Sequence, residues 1–137
     1  MNRRIVLALL ASVTVLACVT PASASLVGFQ TNDHKVGCYL NGQSVRCDVK
    51  NPKWEAQRPP VCELDWGLGV SVGRRHPGGY VCAGDTTLDP NHEVLAPEAK
   101  IRRGRFKCKA LDASAIRCVN ARNGHGFEVS RERVELF

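Results

Sequence analysis

"VGCYLNGQSVRCDV", residues 36–49, is the stretch that decides the fold. Cys38 and Cys47 enclose eight residues with the turn dipeptide Asn41-Gly42 among them, and β-branched residues lie on both sides. Short runs of this kind around a turn read as a β-hairpin, and the two cysteines would face each other across it. "FKCKALDASAIRCVN", residues 106–120, repeats the plan, with nine residues between Cys108 and Cys118. Both stretches run from an apolar residue or glycine to a cysteine, a turn and then "aliphatic-Arg-Cys". Two stapled hairpins call for similar residues, which explains the echo without a duplication.

Working outward, strands are expected near 36–40, 45–49, 68–73, 79–83, 103–109, 115–119 and 126–130, divided by Gly, Pro, Asn and Asp. Turns are expected at Asn41-Gly42, His76 to Gly79 and Asn123-Gly124. Helical periodicity is confined to the N-terminal leader. "NHEVLAPEAKIRR" holds at most one turn, because Pro97 interrupts it, and the proline-containing segment 50–60 is a loop or an edge. The pattern implies a mainly β fold, a small antiparallel sandwich or barrel of short strands stapled by three disulfides.

The leader "MNRRIVLALLASVTVLACVTPASASL" has a basic start at Arg3-Arg4, an apolar run and a small-x-small site at Ala22 to Ala24. It reads as a secretory signal peptide of residues 1–24, ahead of a single domain of residues 25–137. The alternative is a lipoprotein anchored through Cys18, although Leu16 is bulky where such signals place a small residue. Without the leader six cysteines remain: Cys38, Cys47, Cys62, Cys82, Cys108 and Cys118. An even count in an exported chain implies disulfides. Spacing favours sequential pairing, which leaves Cys62 with Cys82; a Cys47–Cys62 link would contradict it. No segment after the leader is apolar enough to span a membrane.

Charge is uneven. Residues 25–99 hold seven Lys/Arg against nine Asp/Glu, whereas residues 100–137 hold ten against four. In "KIRRGRFKCKA" the cations Arg103, Arg105, Lys107 and Lys109 alternate with smaller or apolar residues. A single strand there would put all four on one face, with Arg131 and Arg133 as possible additions. Such a face would attract a polyanion, and the expected partners are an anionic cell-envelope polymer or lipid head groups. Nucleic acid is disfavoured, because no aromatic residues interleave on the charged face. The sequence names no specific protein partner. An ordinary solvated edge strand would carry the same charges.

Few other residues point to chemistry. His34, His76, His92 and His125 form no metal-binding spacing, oxidised cysteines are not ligands, and no motif requires a cofactor. No GxSxG elbow or free thiol is expected. The weak catalytic candidates are His125 as a base with Asp85 or Glu128 orienting it, or a carboxylate pair drawn from Glu63, Asp65 and Asp85. The competing reading makes His125 a residue just past a turn, with Phe127 and Val129 inward. It makes Asp85-Thr86 a turn in which the carboxylate caps backbone N–H groups. Trp66 is expected to anchor the core beside Cys62–Cys82.

In order along the chain, "VGC", "VRCD", "PP-x-C", "DWG", "CAGDT", "GRFKC", "IRC-x-N", "GHGF" and "SR" resemble a family of small exported actinobacterial, mycobacterial-type proteins defined by a domain of unknown function. The resemblance runs from Phe29 to Phe137. It departs at "TNDHKVGC", where a Ser-Gly-Asn turn is usual, and at "VLAPEAKI", where Tyr-Gly is usual. It implies a leader and paired cysteines, and no activity, substrate or catalytic residue. The expectation is therefore a secreted, non-enzymatic binding or envelope-associated module using its basic C-terminal surface, with a small secreted hydrolase centred on His125 and Asp85 as the alternative.

Overall fold

The computed structural model describes residues 25–137; the leader and Cys18 lie outside the described residues. Eleven strands form two sheets. In the first sheet, β1 (Val27–Gln30), β2 (Val36–Leu40), β3 (Val45–Val49), β4 (Asp65–Val72), β5 (Gly79–Ala83) and β6 (Glu93–Val94) lie in the order β5-β4-β3-β2-β1-β6. Only β6 pairs parallel, along β1. The second sheet is an antiparallel meander, β11-β10-β9-β8-β7, of β7 (Lys100–Arg103), β8 (Phe106–Ala110), β9 (Ile116–Asn120), β10 (Gly126–Val129) and β11 (Val134–Leu136). No helix forms among the described residues.

Period-two alternation turns one face of each sheet inward. Val45, Cys47 and Val49 of β3 meet Phe106, Cys108, Ile116, Cys118, Phe127 and Val129 of the second sheet in one buried cluster. Phe29, Phe106 and Phe127 are its largest side chains. Burying each contributes about 1.5–3 kcal/mol.

The cysteines pair sequentially. Cys38 stands opposite Cys47, and Cys108 opposite Cys118, each with Cα atoms 4.1 Å apart. Both bridges are core material as well as staples. Cys62–Cys82 instead ties the loop before β4 to the edge strand β5. Trp66, opposite Cys82, is half-buried beside Tyr80, at 6.0 Å between ring centroids.

The expected strand 103–109 is not continuous. Gly104 takes φ 55° and, with Arg105, forms the turn between β7 and β8. Arg103 lies opposite Phe106, so Arg103, Arg105, Lys107 and Lys109 do not share a strand face. The segment expected to hold one helical turn supplies β6 and β7 instead. Neither Asn-Gly pair forms the two-residue turn with φ positive at both positions. At residues 41–44, Asn41 Oδ1 accepts the N–H groups of Gln43 and Ser44, both at 2.8 Å. At residues 121–124, only Gly124 is left-handed, φ 77°, and its N–H reaches Asn120 O at 2.9 Å.

Candidate functional site

Antiparallel pairing brings four hairpin connections to one end of the sandwich. Val45 faces Val72, which puts the β2–β3 turn beside the β4–β5 loop. Phe106 faces Asn120, which puts the β7–β8 turn beside the β9–β10 turn. Hydrogen bonds then lock these connections together. Asn120 is fully buried, and its Nδ2 donates to Gly73 O and Arg74 O, both at 3.2 Å. Its Oδ1 accepts the Arg122 N–H at 3.1 Å. Asn123 Nδ2 adds a bond to Arg74 O, and the Ala121 N–H donates to Arg105 O at 2.8 Å.

The residues so positioned are cationic. The connections 41–44, 73–78, 104–105 and 121–125 carry Arg74, Arg75, His76, Arg105, Arg122 and His125, and contain no Asp or Glu. A cleft of about 390 Å³ is lined by Gln43, Arg74, Arg102, Arg105 and Arg122. Arg74 Nη1 donates to Gln43 Oε1 at 3.0 Å. The guanidinium groups of Arg105 and Arg122 have no acceptor among the described residues. Partial desolvation, followed by the charges of Arg122 and Arg74, lowers the pKa of Arg105. The cluster thus opposes its own charge, and an anion is the species that would relieve it.

The cleft adjoins the outer face of the second sheet, where Lys100, Arg102, Lys107, Lys109 and Arg117 stand in register. Lys109 pairs with Glu98, and Arg117 with Glu128 at 3.3 Å. Lys100, Arg102 and Lys107 have no carboxylate partner among the described residues.

Of the residues expected from sequence, Arg105 lines the cleft, Arg103 ends the strand leading to it, and Lys107 lies on the adjoining face. Arg131 and Arg133 sit in the β10–β11 turn, at the other end of β10. Arg131 Nε donates to Asn51 O, and Arg133 pairs with Glu128. Sequence reasoning missed Arg74, Arg75, Arg102, Arg122 and their clamp Asn120. The available signal was "GRRH" and "ARNGH", two turns carrying cations and no acid.

His125 lies in the β9–β10 connection and Asp85 in the loop after β5, and they share no hydrogen bond or ion pair among the described residues. The His125 N–H donates to Asn123 Oδ1 at 3.1 Å, and its carbonyl accepts the Asn120 N–H at 2.8 Å. Asp85 pairs with Arg46 at 2.8 Å, and that hydrogen bond, then the Arg46 charge, lowers its pKa. Asp48, not Asp85, caps the neighbouring backbone. It accepts the Thr87 N–H at 2.9 Å while bonding Arg46. This network pins residues 84–88 across the first sheet, beside a cavity of about 260 Å³. Among the described residues, no group of three or more His, Cys, Asp or Glu side chains is placed to hold a metal ion. No helix of the described residues is long and apolar enough to cross a membrane.

No curated protein and no solved structure matches this chain. Residues 4–137 match a family model described as "family of unknown function (DUF6636)", and the chain belongs to that family.

Proposed function

We propose that the protein is an exported, non-enzymatic binding module that engages an anionic cell-envelope polymer through its hairpin-tip arginines and the adjoining lysine-bearing face. The observation that carries this reading is the set of four interlocked connections with several arginines and no carboxylate. Charge so concentrated, and so little neutralised from within, raises the local concentration of polyanions and speeds their capture. Export is supported by the leader read at residues 1–24 and by the disulfides, which suggest an oxidising compartment. The resemblance of the ordered motifs from "VGC" to "SR" to exported actinobacterial proteins points the same way.

The test is co-sedimentation of the disulfide-bonded protein with purified envelope from its own host, at low and high salt. Salt-sensitive pelleting should fall at least roughly tenfold when Arg105→Glu and Arg122→Glu are combined, since two favourable contacts become repulsive. Pelleting that is unchanged in this variant would reject the reading.

A further inference from the structure

We propose that the cleft framed by Arg74, Arg105 and Arg122 is a phosphate-binding site, taking the terminal phosphate of a phosphomonoester, with its three non-bridging oxygens. The inference rests on the polyanion reading and names the chemical group that the cleft takes. Three features of the cleft lead there.

The first is the donor set. Guanidinium groups are planar forks that bind oxyanions bidentately, and they hold their charge at every physiological pH. A phosphate presents enough oxygens to accept from more than one fork, whereas a carboxylate presents two in all. Arg105 and Arg122 have their forks free of protein acceptors among the described residues, and Arg74 spends one nitrogen on Gln43.

The second is preorganisation. Arg74 and Arg122 have their backbones fixed by one fully buried side chain, Asn120, and Arg105 is tied to the same turn through the Ala121 N–H. Little backbone ordering is left to be done on binding, and this favours affinity. The third is electrostatic. No carboxylate lines the cleft, so the positive charge is not answered from within the protein. Arg102 lines the cleft and stands opposite Lys107, so a phosphate's substituent meets the outer face of the second sheet there.

Isothermal titration of the disulfide-bonded protein with inorganic pyrophosphate, at constant ionic strength and with acetate as the control anion, tests the site. Saturable binding is expected for pyrophosphate and not for acetate. Arg105→Gln and Arg122→Gln should each weaken it roughly 10-fold to 100-fold, as expected for a lost charge-assisted bond. Lys53→Gln, beside Arg131 at the opposite end of the sandwich, should leave it unchanged, and Arg105→Lys should fall between, because it keeps the charge and loses the fork. Equal binding of acetate, or unchanged binding in both glutamine variants, would overturn the proposal. Polymer pelleting that persisted beside either result would overturn the phosphate site alone.

A second arm uses phosphatidylcholine vesicles with and without phosphatidic acid. Phosphatidic-acid-dependent binding displaced by pyrophosphate supports the site and makes a lipid headgroup the source. Pyrophosphate binding without vesicle binding supports it and makes the source soluble or polymeric. Vesicle binding that pyrophosphate does not displace would overturn it.

Discussion

Asn120 does at one position what would otherwise need several. Its amide joins the loop at Gly73-Arg74 to the turn at Arg122, and so couples the first sheet to the second. Asn120→Ala leaves Gly73 O and the Arg122 N–H without their side-chain partner, while Arg74 O keeps Asn123 Nδ2. It should destabilise by about 1–3 kcal/mol in urea titrations; a loss within experimental error would show that water substitutes for the side chain. The two glycines around His125 are required for different reasons. At Gly126 an added Cβ would overlap the Cys118 carbonyl oxygen and lie 2.9 Å from the Phe137 ring, whereas at Gly124 the space is open and the demand is φ 77°. Gly124→Ala should therefore cost about 1–2 kcal/mol, and Gly126→Ala distinctly more. The reverse order of melting temperatures would contradict this account of the motif. His125 is placed by the same turn, through backbone bonds that any residue type could make.

At the scale of elements, the hairpin β8–β9 closes on Asp112. Its carboxylate accepts the Ser114 N–H at 2.7 Å and the Ala115 N–H at 2.9 Å, and these bonds, the one from Ser114 first, lower its pKa. A carboxylate whose pKa is lower folded than unfolded stabilises the protein above its unfolded pKa, and that contribution is lost as pH falls through the folded pKa. Asp112→Ala should lower stability at pH 7 by about 0.5–1 kcal/mol, at the low end because the loop is exposed. The gap from wild type should close on acidification below about pH 4. A gap constant with pH would assign the effect to packing. The strand pattern was legible in this chain because Val45, Cys47, Val49 and Phe106, Cys108, Ala110 alternate cleanly between faces. Gly104 was not legible as a break, since Arg103-Gly104-Arg105 continues the same alternation by composition. Only the register, Arg103 opposite Phe106, exposes it as a turn. The short elements β1, β6, β7 and β11 escaped notice because runs of two to four residues carry no periodic signal.

Across the whole molecule, the site joins segments far apart in sequence. Arg74, in the β4–β5 loop, and Asn120, at the end of β9, are 46 residues apart, so no local spacing could pair them. What composition did carry was the excess of cations after residue 99, and the fold gathers part of it at one end with three residues, Arg74, Arg75 and His76, from before that point. The same gathering predicts a salt response. Exposed like charges repel over a Debye length of about 10 Å at 0.1 M, and added salt shortens that length and so relieves the repulsion. Added salt should therefore raise the melting temperature of wild type more than that of a combined Arg105→Gln, Arg122→Gln variant. Equal responses would indicate that the arginines do not sense one another.

The most direct measurement is an amide chemical-shift map of the isotopically labelled, disulfide-bonded protein titrated with pyrophosphate. The account predicts saturable shifts at Gly42-Gln43, Arg74 to His76, Arg102 to Arg105 and Ala121 to His125, with the Asp85-to-Leu88 strap unmoved. Shifts centred on that strap, or none above those produced by acetate, would contradict it.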